Sequence, residues 1–148
     1  MQQMNEARQF ADTMRRSCLG TRVGRLHRAV ARRFDGALRP LGLTMPQAEI
    51  LASLALHDAP VRPSELAQVL LAERSTVSRN LAALGDRGWV EAVEVSPTGR
   101  SMAFVATPEG ARALASAREA WAEAQASVVG SLGPETTATL DAWLDRLG

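Results

Sequence analysis

The stretch LLAERSTVSRNLAALGDRGWV, Leu70 to Val90, constrains the fold more than any other part of this 148-residue chain. On a helix over residues 74–88, at about 100° per residue, Val77, Leu81 and Leu84 fall on one face and must be core. Ser75, Arg79, Ala82 and Asp86 fall on the opposite face, with Thr76 and Ser78 on either side of it. Gly88 closes the helix. The apolar period then changes. WVEAVEV and SMAFVAT are two short strands rich in β-branched and apolar residues. The SPTGR between them is turn chemistry, with Pro97 suited to the second and Gly99 to the fourth position of a type I turn.

The flanks supply helices. Val23, Leu26, Val30, Phe34 and Leu38 recur at three- and four-residue steps along one face, and Pro40 and Gly42 end that segment. In LTMPQAEILASLALHD, Thr44 can cap a helix whose Gln47 stands where a capping box wants Glu or Gln. PSELAQVLL reads as a compact helix opened by Pro63 or Ser64, with Leu66, Val69 and Leu70 inward. After the hairpin, Thr107 caps one long helix with Pro108 in its first turn. Leu114, Trp121 and Val128 repeat along it every seven residues. Gly133-Pro134 breaks it, and Leu140, Trp143, Leu144 and Leu147 mark a short last helix. The expected order is four helices, a hairpin and two helices. It is a mainly α fold with a small β-hairpin wing (α+β), a winged helix-turn-helix flanked by further helices. The chain reads as one domain, 1–148, with the winged helix-turn-helix at 44–107. The helices of 5–42 and 108–148 carry apolar stripes that so small a middle cannot cover. A twofold dimer is the commonest way to bury them, so these segments are expected to be dimerisation helices.

Composition excludes more than it selects. No apolar run approaches the ~18 residues of a membrane span. The N-terminal segment is polar and mixed in charge, unlike a secretory signal, and a cytoplasmic protein is expected. One cysteine, Cys18, excludes an intrachain disulfide framework. Cys18, His27 and His57 do not make metal spacing, and no metal or cofactor is expected. An enzyme would need a nucleophile with its base, a carboxylate pair or a phosphate loop. Ser101 and Ser131 have no histidine placed to activate them, so no enzyme is expected. Net charge is +1 but unevenly spread: residues 1–40 hold nine arginines against Glu6, Asp12 and Asp35, and the remainder sums to −5. Within residues 62–101 five arginines meet five acids. Whole-chain charge does not point to nucleic acid, so the case rests on local pattern.

That pattern is the outer face of the 74–88 helix. It is hydroxylated and basic near its N-terminus and smooth in its middle, where Ala82 and Ala83 are small. A helix entering the major groove, ~12 Å wide, benefits from that shape, and Arg can fork onto guanine while Ser and Thr reach bases or phosphates. Periodicity alone leaves an ordinary solvated helix equally open. The short helix before it and the hairpin after it favour DNA. Asn80 projects nearer the core and is expected to be structural.

LTMPQAEILASL, PSELAQVLLAERSTVSRNLAALGDRGWVE and RSMAFVATPEGARAL, in order and spacing, resemble the MarR family of bacterial transcriptional regulators. The resemblance covers roughly residues 22 to 130 and implies a homodimeric, cytoplasmic winged-helix protein that binds double-stranded DNA, by default a repressor on a pseudo-palindromic operator. Residue by residue, Ser75, Thr76, Ser78 and Arg79 match the DNA-facing part of the motif, with Arg74 beside them. Pro63 and Ser64 match positions near phosphate, and Arg100 matches the arginine of the wing motif D-x-R. Here that motif reads Thr98-Gly99-Arg100, without the acid that holds the wing arginine.

The resemblance also implies a signal. Many members release DNA on binding a small aromatic or phenolic effector between the dimer helices and the winged domain. Others use a cysteine. Cys18 has Arg15, Arg16 and Arg22 nearby, which would lower a thiol pKa. The family's peroxide sensors support their cysteine with tyrosines, and this chain has none. Phe34 stands about where one would fall. A small buried hydrophobe is the commoner role of a free cysteine. Two alternatives therefore stand beside the ligand-released regulator: a thiol-based redox sensor through Cys18, and a winged-helix protein-interaction module that does not read DNA.

Overall fold

The computed structural model describes residues 1–96 and 101–148. It divides into two units, residues 1–33 and 34–148.

The first unit holds α1 (Gln2–Ser17) and most of α2 (Leu19–Leu38). Cys18, in extended conformation, separates them, so α2 begins ahead of Gly20. α1 lies mostly within the 5–42 segment expected to be helical, but the expected order of four helices before the hairpin does not count it separately. Met4, Ala7, Phe10, Ala11 and Met14 recur along one of its faces at helical spacing, and local pairs add to it: Asp12 accepts from Arg15 at 2.7 Å and from Arg16 at 2.8 Å. Phe10, Leu19 and Val23 stand exposed on this unit.

The second unit is built around Leu38, Leu43, Ile50, Leu51, Leu66, Val77, Leu81 and Leu84, all essentially buried. After a 3-10 turn at Arg39–Leu41, Gly42 takes the left-handed φ of 73°, and the Leu43 amide returns to the Leu38 carbonyl at 3.2 Å. α3 (Met45–Ala55) opens with the expected capping box. The Gln47 amide donates to Thr44 Oγ1 at 3.4 Å and the Thr44 amide to Gln47 Oε1 at 3.2 Å. Asp35 Oδ1 also accepts from the Met45 amide at 2.7 Å, tying the end of α2 to the start of α3.

α4 (Pro63–Val69) is preceded by Arg62 as its cap residue, with Pro63 at the first helical position. Leu66 and Ala67 are buried, but Val69 is 65% exposed, against the expectation that it faces inward. The helix is seven residues long, and its inner stripe is spent on Leu66, Ala67 and the half-buried Leu70. The connection to α5 (Arg74–Asp86) passes through Leu71, which has φ 48° and is 82% exposed.

α5 turns its Val77, Leu81 and Leu84 into the core, as the periodicity requires. Gly88, at φ 70°, lets the Trp89 amide reach the Leu84 carbonyl at 2.9 Å. β1 (Val90–Glu94) and β2 (Met102–Ala106) then pair antiparallel, from Val90 with Ala106 to Glu94 with Met102. The expected turn at 97–100 lies outside the described residues. Trp89 packs against the core, with the Arg87 guanidinium 3.6 Å above its ring.

Thr107 joins hairpin and last helices. Its hydroxyl donates to the Gly88 carbonyl at 2.6 Å and accepts from the Gly110 amide at 3.1 Å, capping α6 (Pro108–Ser116). One long helix was expected from Pro108. Instead Ala117 interrupts it, and α7 runs Arg118–Leu132. Ala117 is buried against the core at φ −80°, ψ −8° and bonds back to Leu114, while the Ser116 hydroxyl takes the Ala113 carbonyl at 2.8 Å. Neither residue is a sequence-level breaker, so the pattern could not reveal the interruption. α8 (Thr136–Leu147) follows the Gly133-Pro134 break and leaves Trp143, Leu144 and Leu147 exposed.

Gly110 is buried where an added Cβ would run into the Trp89 carbonyl. Gly110→Ala therefore forces backbone apart at the joint of hairpin and α6. The expected cost is about 1–3 kcal/mol, as for other overpacked sites, read as a lower thermal midpoint in a circular-dichroism melt. An unchanged midpoint would mean that the joint yields freely.

Candidate nucleic-acid interface

The outer face of α5 is assembled by the same stripe that buries its inner face. Because Val77, Leu81 and Leu84 are fixed in the core, Arg74, Ser75, Ser78, Arg79 and Ala82 are exposed together. Thr76 is half-buried, and its hydroxyl accepts from Arg79 Nη2 at 3.4 Å. This bond steers the Arg79 side chain back along the helix toward its N-terminus. Asn80 donates to the Thr76 carbonyl at 2.9 Å, part-buried, which matches the structural role expected of it.

An open groove of about 500 Å³ runs beside this face, lined by Pro63, Ser78, Ala82, Gly85, Asp86, Glu91 and Phe104, among others. It brings together the start of α4, the outer side of α5 and the hairpin. Of the expected residues, Pro63 and Ser78 line it; Ser64 is half-buried one position along α4. Arg100 lies outside the described residues. The charged members of the lining are acidic, Asp86 and Glu91. Sequence reasoning passed over Arg62, whose Nε donates to Ser101 Oγ at 3.4 Å, beside the turn end of the hairpin. Its only sequence signal was its place directly before Pro63-Ser64.

Two further features bear on a signal. A mostly apolar cavity of about 290 Å³ opens among Leu38, Met45, Ala52, Leu114 and Trp121, with Glu49 and Arg118 as its charged lining. Phe34 packs near it, its ring 6.5 Å from that of Trp121. In the first unit, Cys18 is half-buried rather than fully so. Hydrogen bonds from Thr21, side chain first and backbone next, hold its thiol below the usual range, and the charge of Arg22 adds last. The expected cause, its arginine neighbours, is thus the smaller one. His27 and His57 are both exposed, and His57 Nδ1 lies 2.7 Å from the Ser53 carbonyl. Among the described residues, no group of three or more His, Cys, Asp or Glu is placed to hold a metal ion, and no helix is long and apolar enough to cross a membrane.

Comparison with known proteins agrees with this geometry. The family model described as the HVO_A0261 N-terminal domain matches residues 44–127, the segment from the cap of α3 into α7. No curated protein sequence matches the chain. Among solved structures, the Mycobacterium tuberculosis transcriptional regulator MosR in complex with DNA is similar at 30% identity and TM-score 0.75, over 88% of this chain and 96% of that one. Apo MarR from Escherichia coli is similar at 24% identity and TM-score 0.68, over 88% of this chain and 97% of that one. CouR from Rhodococcus jostii RHA1, bound to p-coumaroyl-CoA, shares the fold at 19% identity and TM-score 0.73, over 87% of this chain and 90% of that one. A buried inner stripe on α5, a hydroxylated and basic outer rim, an antiparallel hairpin and these likenesses converge: the chain belongs to the MarR family of winged helix-turn-helix transcriptional regulators.

Proposed function

We propose that the protein binds a pseudo-palindromic DNA operator as a homodimer, represses transcription there and lets go when a small molecule binds. The observation that carries the DNA reading is the exposed rim of Ser75, Ser78 and Arg79 on α5, with Thr76 bracing Arg79 and Ala82 keeping the helix slim. That rim suits major-groove entry, with Arg79 forking onto a guanine edge. Arg74, Pro63 and Ser64 are proposed to meet the phosphate backbone, and Arg100 to reach the adjoining minor groove. The similar MosR was solved in complex with DNA, which supports a DNA-binding reading. The exposed Phe10, Leu19 and Val23 on the first unit, and Trp143, Leu144 and Leu147 on α8, support burial against a second copy. The cavity beside Trp121 has the size and apolar character of a small-ligand site, which supports a small aromatic or phenolic effector. The likeness to transcriptional regulators supports a cytoplasmic regulator rather than an enzyme.

The test is a gel shift on duplex DNA selected by the protein from a random-sequence pool. Two half-sites about one helical turn apart are expected, as is a complex of two chains. Arg79→Ala is expected to weaken binding about 10–100-fold, the worth of one good base contact, and Arg100→Ala to weaken it as well. Unchanged affinity in both variants would refute the docking. A protein that retards no duplex at any salt concentration would be an interaction module instead.

Trp121 and its neighbours give the effector its own readout. Small aromatic carboxylates that enter the cavity are expected to quench tryptophan fluorescence in the Trp89→Phe, Trp143→Phe background and to release the selected duplex at the same concentrations. Quenching without release would separate binding from the switch.

A second reading is favoured by one observation, the lowered thiol pKa of Cys18. A thiolate is the form that oxidants attack, so oxidation of Cys18 is the alternative signal. The alkylation rate of Cys18 is expected to rise through a midpoint below that of an ordinary thiol. Thr21→Val removes the largest lowering contribution and should move that midpoint up. If peroxide releases DNA equally from wild type and Cys18→Ser, the thiol is not the sensor.

A further inference from the structure

The start of α4 and strand β2 of the hairpin form one junction. The Val61 amide donates to the Phe104 carbonyl at 2.9 Å and the Phe104 amide to the Val61 carbonyl at 2.8 Å, so Val61 acts as a one-residue third strand beside β2. Arg62 follows at once. Its amide donates to Glu65 Oε2 at 2.8 Å, the half of a capping box that an arginine cap can share. Its guanidinium is tethered by Nε to Ser101 Oγ at 3.4 Å, across 39 residues of sequence. Ser101 immediately precedes β2, so the tether points toward the hairpin end that lies away from α6.

Among the described residues, no hydrogen bond occupies the terminal nitrogens of Arg62. Nη1 is 3.9 Å from Glu65 Oε1, too far for a hydrogen bond, and the Arg62 side chain is 52% exposed. An exposed pair at that distance adds little to folding stability. This long, charged side chain nonetheless leaves the backbone directly before Pro63, which lines the groove together with Ser78 and Ala82. The charged lining of that groove is acidic, Asp86 and Glu91. A polyanion settling there is repelled from within the groove and must be drawn by cations standing on its edge.

We propose that Arg62, pre-set by Ser101 near the turn end of the hairpin, is a phosphate-binding residue of the DNA surface that works beside the base-reading Arg79. The assignment rests on the DNA reading of α5 given above. Phosphate is the fitting partner because the tether holds the guanidinium at Ser101, outside the lining of the groove. A contact to the backbone positions the protein without choosing sequence. Ser101 is a positioning residue: it limits the arginine's freedom before DNA arrives.

The experiment titrates two labelled duplexes, one selected by the wild-type protein from a random-sequence pool and one of scrambled sequence, over a range of salt concentrations. Arg62→Ala is expected to weaken both about tenfold, by the same factor, and to flatten the slope of log affinity against log salt by about one per protomer. Its thermal midpoint should stay at the wild-type value. Arg62→Lys should keep the slope, and Ser101→Ala should lower affinity with the slope retained. An unchanged slope in Arg62→Ala, or a loss confined to the selected duplex, would overturn the proposal. If Arg79→Ala erases the preference for the selected duplex while Arg62→Ala leaves the slope intact, this assignment alone fails. If the wild type binds neither duplex, the DNA reading fails and takes this one with it.

Discussion

The second unit hangs on the backbone of Trp89. Its amide closes α5 by donating to Leu84, and its carbonyl accepts from the Thr107 amide at 3.0 Å. The same carbonyl lies against Gly110, where no side chain could fit. Helix, hairpin and the helix after it therefore meet at one residue, and the Thr107 hydroxyl locks the joint from the other side through the Gly88 carbonyl. Because α5 ends in this joint, the direction of its outer face is set jointly by the core stripe and by the hairpin. A winged helix of this size has few independent parts: moving the hairpin moves the end of the reading helix.

Electrostatics take second place to shape here. The winged region carries as many acids as arginines, and the charged lining of its groove is acidic. Affinity for a phosphate backbone must then come from a few placed cations rather than from a broad basic field. The bonds that Arg79 donates to Thr76 and Arg62 donates to Ser101 fit that need. Each gives a flexible side chain a resting place near where it would be used, and so lowers the ordering cost of contact.

What was legible in the sequence was whatever local chemistry decides. Thr44 with Gln47, Thr107 with Pro108, and the stripe of Val77, Leu81 and Leu84 each carry their physics in neighbouring residues, and each of these caps and faces forms as read. What was illegible depends on distant partners. Ala117 interrupts a helix because it is buried against a core assembled from earlier elements. Val69 faces out because its seven-residue helix had already turned its inner side to Leu66 and Ala67. α1 lies inside the segment read as helical, but its separation from α2 rests on the single extended residue Cys18. At the candidate site the rim of α5 could be read from periodicity. Arg62 could not, since its partner Ser101 lies 39 residues away.

Leu71 gives the helix-turn-helix a character of its own. Its left-handed backbone costs an L-residue about 1–2 kcal/mol, and its side chain, turned to solvent, recovers almost nothing by burial. The bend is held from both ends, by the Ala72 amide on the Ala67 carbonyl at 2.9 Å and by the packing of Leu70 and Ala72 against the core. The corner between α4 and α5 therefore behaves as a sprung joint. Its angle is imposed by the helices it connects, and loosening either helix relaxes the corner as well, so the two are bound to loosen together.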